Sequence, residues 1–322
     1  MRRSIELLAW LHDGAEHSGA DLAHRLGISR AAIWNHIDRL RREGIEVRAT
    51  RGRGYVLEGG FEVLDTAEIH RRLQQLNCKG VTALEAVVVT DSTNERLLAA
   101  LPNDNIHGRV LLAEYQTAGR GRHGDHWIAP PGSGLCMSLG WCFDSPPTTF
   151  SALSLVVGLA VVSTLAEQGI CRAMLKWPND IVRDGCKLGG ILIEMRSESG
   201  GPCTTVIGLG INIRLSQLAR GRIEQPSADL ESAAGHAISR NALAAALLNS
   251  LCAKLSLFGR QGFAGFWPEW RQFDVLADEP VRLDLAGRVV EGIARGVDEN
   301  GALIIEHSGR REKFMSGHLR QG

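Results

Sequence analysis

Four residues that together prevent a helix, Pro130, Pro131, Gly132 and Gly134, constrain the fold of this chain more than any other feature. They follow a glycine-rich segment, Gly119–Gly124, whose spacing matches the G-x-G-x-x-G pattern of dinucleotide-binding folds. Those folds require a helix directly after the glycines, because its N-terminus holds the pyrophosphate. Proline and glycine at this density do not allow one. The sequence therefore argues against a nicotinamide cofactor and predicts a loop between two strands.

The glycine-rich loop also carries two arginines, Arg120 and Arg122, and Trp127 follows them. Glycines let a backbone approach a ligand closely, and arginines supply permanent charge and forked donors for a carboxylate or a phosphate. Trp127 is a candidate stacking face or lid. A surface loop with solvated arginines fits the same residues. The motif alone therefore leaves a structural loop and an anion-binding loop both open.

The composition is that of an ordinary globular protein with reduced cysteines. The 322 residues include 36 basic and 36 acidic side chains, so the chain as a whole predicts no polyanion partner. Seven cysteines form no C-x-x-C pair, which argues against a disulfide framework and a zinc site. Residues 145–166 carry no charge, and Phe150–Ala166 is predicted to be a buried core helix and not a membrane span. We expect a cytoplasmic protein without a signal peptide.

Residues 1–62 have the pattern of a winged helix-turn-helix DNA-binding domain. Ser18 and Ser29 are candidate N-caps of two successive helices, and residues 45–57 predict two strands around an arginine-glycine turn. Five arginines lie between positions 39 and 51, a local basic patch that suits DNA phosphates. The alternative is a small helical subdomain that packs against the rest of the chain. The candidate DNA-contacting residues are Ser29, Arg30, Ala31, Trp34, Asn35, Arg48, Arg51 and Arg53.

The rest of the chain predicts two further units, a mixed α/β central domain at 65–272 and a small SH3-like β-barrel at 275–322. Asp184-Gly185 marks a hairpin turn, so its neighbouring strands are antiparallel and the class is α+β, multidomain, instead of alternating βαβ. Central helices are expected at 66–76, 93–100, 150–168 and 240–258. Central strands are expected at 84–90, 109–116, 135–142, 173–183, 187–196 and 203–213.

Four further motifs carry polar or close-approach residues: DSTN at 91–94, KWPND at 176–180, KLGGI at 187–191 and GLGIN at 208–212. Lys176 and Lys187 are expected on the two arms of one hairpin, where they would flank a pocket, although a single strand lysine is usually a solvated edge charge. Glycines inside a strand indicate close approach of a backbone or a ligand. The sequence shows no convincing metal cluster and no Ser-His-Asp set. These residues suit nucleotide-dependent activation of a carboxylate, in which cations neutralise two anions.

These motifs in order, with LGISRAAIWNHI at 26–37 and DENGALIIE at 298–306, resemble the bifunctional biotin–protein ligases that also repress the biotin operon. The resemblance covers nearly the whole chain and implies a central domain like those of class II synthetases and biotin–lipoate ligases. It implies that ATP, Mg²⁺ and biotin give biotinyl-5′-AMP, and that biotin then passes to a lysine of the biotin carboxyl carrier domain of acetyl-CoA carboxylase. It also implies a homodimer on an inverted-repeat operator, with the adenylate as corepressor.

The resemblance also implies roles for individual residues. Lys187, Arg122 and Arg120 would act on the reacting anions, and Asp180 is a candidate general base. No protein metal site is implied, because Mg²⁺ enters with ATP. The ATP or adenylate residues would be Arg122, Trp127, Lys176, Asn179, Lys187 and Asn212. The biotin-binding residues would be Ser92, Thr93, Asn94, Gln116, Gly119, Arg120, Gly121, Arg122, Lys187, Gly208, Gly210 and Ile211.

The loop departs from the family after its second arginine. Asp125 and His126 stand where the family is usually more basic, which leaves the nucleotide affinity and the position of the loop's tail open. This change is the one feature that favours an alternative, a biotin-sensing transcription factor with degenerate ligase activity. A ligase for lipoate or another acyl group is a further alternative, against which the GRGR and KWPND motifs argue.

Overall fold

The computed structural model describes residues 2–42, 44–101, 104–144, 150–197, 203–285 and 287–320. Within them the chain forms three units in sequence order: a helical N-terminal unit with a β-hairpin, a central sheet with helices, and a C-terminal antiparallel sheet. The predicted α+β multidomain organisation is confirmed. The uncharged stretch 145–149, with Pro146 and Pro147, lies outside the described residues.

The N-terminal unit has the helices and the wing of a winged helix-turn-helix. Its elements are α1 (Arg2–Leu11), α2 (Gly19–Leu26), α3 (Arg30–Arg42), β1 (Val47–Thr50) and β2 (Gly54–Leu57). Ser18 caps α2 by accepting two backbone N–H groups, and Ser29 Oγ accepts one at 3.1 Å in the first turn of α3. Ile33, Ile37 and Leu40 are 0 % exposed, so α3 buries one stripe and turns its other side outward.

A seven-stranded sheet forms the centre of the molecule. Its strands follow the order β3-β4-β5-β9-β8-β7-β6, with β3 and β4 parallel and the other neighbours antiparallel. Helices α6 and α9 pack on each other and share one apolar core with the sheet. The elements are α4 (Thr66–Gln75), β3 (Ala83–Thr90), α5 (Thr93–Ala100), β4 (Arg109–Gln116), β5 (Gly134–Phe143), α6 (Phe150–Glu167), β6 (Met174–Lys176), β7 (Asp180–Arg183), β8 (Cys186–Ser197), β9 (Cys203–Asn212), α7 (Gln217–Arg220), α8 (Leu230–Ala234), α9 (Arg240–Gln261) and α10 (Trp267–Phe273).

The predicted single strand over 173–183 is wrong, because the structure has two strands there. β6 ends at Lys176, β7 begins at Asp180, and these two residues are partners in the antiparallel register. Pro178 has no N–H to donate to a ladder, so the chain turns between the two strands. Lys176 and Lys187 consequently lie on β6 and β8, separated by β7, and not on the two arms of one hairpin.

One helix, α9, is long and apolar enough by length and composition to cross a membrane. Its side chains pack in the protein core, because Leu243, Leu247 and Leu251 are at most 1 % exposed and belong to the core cluster. The predicted core helix α6 is buried in the same way, with Leu153 and Leu159 at 0 % exposure. Both are core helices of a folded domain.

The C-terminal unit is a five-stranded antiparallel sheet ordered β13-β12-β11-β10-β14. Its strands are β10 (Pro280–Leu285), β11 (Arg288–Val297), β12 (Leu303–His307), β13 (Arg310–Phe314) and β14 (His318–Arg320). The turn before β12 is held by Asp298, whose Oδ1 accepts the N–H groups of Asn300 and Ala302 at 2.9 Å each. The unit packs on the KWPND turn, because the indole N–H of buried Trp177 donates to Gly301 O at 3.1 Å.

A buried ion pair fixes the linker between β2 and α4, which contains Glu62 and Leu64, to the central sheet. Arg240 Nη1 lies 2.7 Å from Glu114 Oε2, and both side chains are almost fully buried. Glu114 Oε1 accepts the N–H of Leu64 at 2.7 Å, and Arg240 Nη1 also donates to Glu62 O at 2.8 Å. The linker is therefore fixed against β4 and the start of α9.

A second contact joins the end of α3 to the segment 216–222. Ser216 Oγ donates to Gly44 O at 2.9 Å, and the Arg222 guanidinium donates to Arg42 O. A Cβ placed on Gly44 would lie 3.5 Å from Ala219 N, so the two backbones are in van der Waals contact. The carboxyl end of α3 thus rests on the segment that leads into the central cavity.

Candidate active site

A cavity of about 740 Å³ opens above the middle of the central sheet. Its walls come from the start of α5, the strands β7 to β9, the glycine-rich loop and the segment 222–227, and Gly317–Leu319 of the C-terminal unit close one end. This size matches a small-molecule site. The predicted motifs DSTN, GRGR, KWPND, KLGGI and GLGIN all contribute residues, so residues far apart in sequence meet in one place.

The glycine-rich loop folds back on itself as a small hairpin. Trp127 N donates to Gly119 O at 3.0 Å, Gly121 N donates to Asp125 O at 2.7 Å, and Arg120 pairs with His126 as an isolated bridge. A short 3-10 turn at Arg122–Gly124 includes the last glycine, and no α-helix follows it in residues 125–134. The expected loop is found, and Asp125 and His126 serve in its backbone closure.

One end of the cavity holds a chain of uncharged polar groups. Gln116 Oε1 accepts the N–H of Thr93 at 2.8 Å and its hydroxyl at 3.1 Å. Ser138 Oγ lies 2.6 Å from both Thr93 Oγ1 and Asn94 Oδ1. Ser92 caps α5, as a routine helix start would require, and lines the cavity as well. Such a set can recognise a polar, uncharged ring by hydrogen bonds.

Two glycines of β9 make room for this end of the cavity. A Cβ on Gly208 would lie 2.4 Å from Asn94 Oδ1, and a Cβ on Gly210 would lie 2.4 Å from the Trp127 ring. The ring of Trp127 therefore lies flat against β9. Burial raises the pKa of the Cys136 thiol to about 11, and the charge of Arg240 opposes that rise.

Cations gather at the opposite side, around one carboxylate. Lys187 Nζ lies 2.8 Å from Asp180 Oδ1, and Arg122 Nη1 donates to Asn179 Oδ1 at 3.5 Å. Burial lowers the pKa of Arg122, and the charge of Asp180 opposes the shift. Burial, with the neighbouring charge of Lys187, also lowers the pKa of Lys176, again opposed by Asp180. Three cations around one carboxylate leave a surplus of positive charge for an anionic ligand.

Most of the predicted ligand residues line this cavity: Ser92, Thr93, Asn94, Gln116, Arg120, Gly121, Arg122, Trp127, Lys176, Asn179, Asp180, Lys187, Gly208, Gly210 and Asn212. Gly119 and Ile211 lie outside its lining, and Gly119 closes the base of the loop hairpin. Asn212 is 3 % exposed, and its amide donates to Ala228 O at 3.0 Å and to Lys187 O at 3.4 Å. Its hydrogen bonds therefore hold the wall at 226–228.

Several residues in or behind the cavity wall were not predicted from the sequence, and two of them, Ser138 and Glu194, lie behind the wall and bond to Asn94. Ser138 is a lone polar residue in the apolar strand β5, and Glu194 is a lone acid in the apolar run of β8. An isolated polar residue in an otherwise apolar strand sequence was the available signal, because such a side chain needs a partner where the strand is buried. The wall at 222–227 and His318 carry no such signal in the sequence.

The N-terminal unit presents its predicted DNA-contacting residues to solvent. Ser29, Arg30, Ala31 and Asn35 are exposed on one side of α3, and Trp34 is 56 % exposed. Both wing arginines Arg51 and Arg53 are exposed at the hairpin turn, and Arg53 lies 3.4 Å from Glu16. Arg48 forms an ion pair with Glu58. An exposed helix beside a basic wing is the geometry for reading a DNA groove.

Sequence profiles of three families match the chain in order. An HTH domain matches residues 3–56, the Biotin/lipoate A/B protein ligase family matches residues 86–212, and the Biotin protein ligase C terminal domain matches residues 278–318. The first match covers α1 to β2, the second covers the central strands, and the third covers the C-terminal sheet.

Whole proteins are also similar over nearly their full length. The chain is 37 % identical over 315 residues to the bifunctional ligase/repressor BirA of Salmonella typhimurium, covering 98 % of this chain and 96 % of that protein. It is 36 % identical over 315 residues, with the same coverage, to the bifunctional ligase/repressor BirA of Escherichia coli. The chain belongs to this ligase/repressor family.

A solved structure of this ligase family shows the same architecture. The biotin protein ligase of Aquifex aeolicus in complex with biotin and ATP superimposes with a TM-score of 0.64 at 26 % identity, over 75 % of this chain and 100 % of that one. The resemblance inferred from the sequence motifs is therefore confirmed. The ligase/repressor family also accounts for a DNA-reading unit and a ligand cavity in one chain.

Proposed function

We propose that the chain is an ATP-dependent biotin–protein ligase that also acts as a DNA-binding repressor of biotin synthesis. The observation that carries this proposal is the cavity with two chemically different ends, polar and uncharged at Thr93 and Gln116, and cationic at Arg122, Lys176 and Lys187. Biotin has a polar uncharged ring at one end and a carboxylate at the other. A ligand of that shape would place its carboxylate among the cations, where ATP is activated.

The first proposed step is the adenylation of biotin. A carboxylate oxygen attacks the α-phosphorus of ATP, an acyl phosphate bond forms, and pyrophosphate leaves. Two anions must approach each other, and unit charges 4 Å apart repel by about 4 kcal/mol at an effective dielectric near 20. Lys187 and Arg122 offset that repulsion from fixed positions in the wall. We propose Lys176 and Asn179 as partners of the phosphates, with Trp127 and Asn212 bordering the adenylate.

Mg²⁺ would enter with the triphosphate. Asn179 and Asp180 offer oxygen ligands, the type that Mg²⁺ prefers, beside the cations. Across the described ranges no group of three His, Cys, Asp or Glu side chains is arranged to hold a metal ion. The protein would therefore supply one or two ligands and the phosphates the others. Bound Mg²⁺ would neutralise phosphate charge.

The second proposed step transfers the acyl group to a lysine of a biotin carboxyl carrier domain. The amine attacks the acyl carbonyl, AMP leaves, and the amine loses a proton. Asp180 is the candidate base, because its carboxylate lines the cavity beside Lys187, where the acyl group would be bound. The carrier lysine would reach the cavity past the loop hairpin.

For regulation we propose a homodimer on an inverted-repeat operator in the cytoplasm, with biotinyl-5′-AMP as corepressor. The exposed face of α3 and the wing arginines Arg51 and Arg53 would contact the DNA. We propose that the functional units are 1–62, 65–272 and 275–322, with the linker fixed by the Glu114–Arg240 pair. A winged helix-turn-helix commonly binds two half-sites through a two-fold dimer.

Mass spectrometry of the purified chain with biotin and Mg·ATP tests the proposal. We expect biotinyl-AMP and one pyrophosphate for each adenylate, and then a mass increase on an added carrier domain. Lipoate and octanoate serve as matched acids that lack the biotin ring. Adenylate formation without carrier labelling would favour a sensor with a degenerate ligase domain, and no adenylate at all would refute the ligase.

A further inference from the structure

The first loop arginine, Arg120, is held by two acids from outside the loop. Arg120 Nη2 lies 2.7 Å from Glu95 Oε2 on α5, and 2.8 and 3.0 Å from the two carboxylate oxygens of Glu194 on β8. Arg120 is 38 % exposed and Glu194 is 24 % exposed, so the contact is partly shielded from water. Arg122, two residues later, contacts neither acid and donates to Asn179 instead. The two arginines of the motif thus have different partners.

Charge distinguishes the two arginines further. Two carboxylates around one guanidinium give Arg120 a local charge of minus one, so a third carboxylate gains no net attraction there. At the other side of the cavity, Arg122, Lys176 and Lys187 share the single carboxylate of Asp180. An incoming biotin carboxylate or phosphate is therefore attracted to Arg122 and the lysines. Arg120 is left with the role of holding the loop.

Glu194 also reaches the polar end of the cavity. Its Oε2 accepts the side-chain N–H of Asn94 at 2.9 Å, and Asn94 is 3 % exposed. Asn94 Oδ1 lies 2.6 Å from Ser138 Oγ, which lies 2.6 Å from Thr93 Oγ1. Thr93 in turn donates its backbone N–H to Gln116 Oε1 at 2.8 Å. An unbroken row of hydrogen bonds therefore runs from the ring-binding end to the loop.

We propose that Glu194 is a positioning residue that couples the ring-binding end of the cavity to the glycine-rich loop, with Arg120 as the loop's anchor. Glu95 supports the same anchor from α5. A ring bound at Thr93 and Gln116 orders Asn94 and Glu194, and Glu194 holds the loop where Arg122 meets the carboxylate. This inference rests on the ligase function proposed above.

A double-mutant cycle on Arg120 and Glu194 tests the coupling in the full-length chain. The variants are Glu194→Gln, which keeps an acceptor for Asn94 but removes the charge, Arg120→Ala, and the two combined. We expect Glu194→Gln to raise KM for biotin about 5-fold with kcat changed less than 2-fold, as a half-exposed ion pair allows. Arg120→Ala should give at least as large a rise, because it also removes the contact with Glu95, and the double variant should show no further rise over Arg120→Ala, because the Arg120–Glu194 contact is already lost. Glu194→Asp should restore part of the affinity.

The second readout needs no substrate turnover. Trypsin cleavage after Arg122, followed by mass spectrometry, reports how firmly the loop is held, and we expect faster cleavage in Glu194→Gln and in Arg120→Ala. Glu85→Gln is the matched control, because Glu85 pairs with Arg96 on the surface and does not line the cavity. Unfolding midpoints of all variants identify any that fail to fold.

The outcomes separate this inference from the ligase function. Additive losses in the double variant, or a large fall in kcat for Arg120→Ala alone, would show that Arg120 acts on the substrate and would overturn the proposal. Unchanged KM and unchanged cleavage in Glu194→Gln would overturn it as well. An inactive wild type would refute the ligase instead, while the cleavage assay would still test the tether.

Discussion

The ammonium of Lys187 on β8 lies 2.8 Å from a carboxylate oxygen of Asp180 on β7, and this pair forms the floor of the cationic side of the cavity. The side chains are 19 % and 24 % exposed, so neither charge is fully hydrated. The pair fixes the ammonium in place before any anion arrives. A cation held in advance costs no reorganisation when the negative charges meet.

Replacing this lysine should cripple adenylation. We expect Lys187→Ala to lower kcat/KM for biotinyl-AMP formation about 100-fold or more, the range seen when one preorganised charge donor is removed. Pyrophosphate release measures the rate. Lys79→Ala, at an exposed lysine outside the cavity, is the control. Equal rates for Lys187→Ala and wild type would remove Lys187 from the mechanism.

The close approach of β9 to the indole predicts a second effect. A methyl group on Gly210 would lie 2.4 Å from the Trp127 ring, so Gly210→Ala must push that ring away from the strand. We expect biotin affinity to fall about 10-fold, measured by calorimetry. Gly221→Ala is the matched control, because its φ is −65° and its nearest neighbours are 3.6 Å away. Wild-type affinity in Gly210→Ala would contradict the tight fit.

The wing makes a prediction about DNA. Arg51 is exposed at the tip of the hairpin, and we expect its side chain to contact phosphate. We expect Arg51→Ala to weaken binding to specific and unrelated DNA alike and to lower the slope of log affinity against log salt by about 1. Trp34→Ala, on the exposed side of α3, should instead change the preferred sequence in a selection from random DNA. The same change in preference for both variants would contradict the division of roles.

The turn at Asp298 predicts how stability depends on pH. Burial raises the pKa of Asp298, but hydrogen bonds from Lys313, Ala302 and Asn300 outweigh it, and the net pKa is lowered. A carboxyl with a depressed folded-state pKa stabilises the fold above its unfolded pKa of about 3.9, and that stability is lost as pH falls through the folded value.

The test of this turn is a comparison with Asp298→Asn. We expect the variant to lose about 2 kcal/mol in the free energy of unfolding at pH 7, since hydrogen bonds to a charged group are removed. The difference from wild type should shrink as the pH falls below 4. Chemical denaturation at several pH values measures it, and a difference that is constant from pH 7 to pH 3 would be inconsistent with a charged Asp298.

Sequence reasoning located the elements well where local physics decides them. Ser18 and Ser29 cap helices because their hydroxyls satisfy free N–H groups, and this depends on adjacent residues only. The Asp184-Gly185 turn sets its hairpin in the same local way, with Cys186 paired to Arg183. Helix caps and tight turns can therefore be predicted from four or five neighbouring residues.

Contacts between residues far apart in the chain determine the features of the site that local sequence patterns did not predict. The KWPND turn packs on the C-terminal unit because the Trp177 indole donates to Gly301 O, 124 residues away, and no local pattern predicts that contact. The separate partners of Arg120 and Arg122 depend on Glu194 and Asn179, which lie far along the chain. Two identical side chains two positions apart therefore carry different tasks, and no local pattern distinguishes them.

One segment contacts the end of α3 and also lines the ligand cavity, so the DNA-binding unit and the cavity are physically connected. Arg222 donates to Arg42 O at the end of that helix, and Ser216 donates to Gly44 O just beyond it. The same segment continues to Pro226, whose oxygen accepts the N–H of Lys187. If loading with biotinyl-AMP shifts this segment, then operator and adenylate must change each other's affinity by one common factor, and for a corepressor that factor is an increase. Protein bound to its operator would then hold biotinyl-AMP more tightly. Operator binding would therefore slow the transfer of biotin to the carrier domain of the carboxylase.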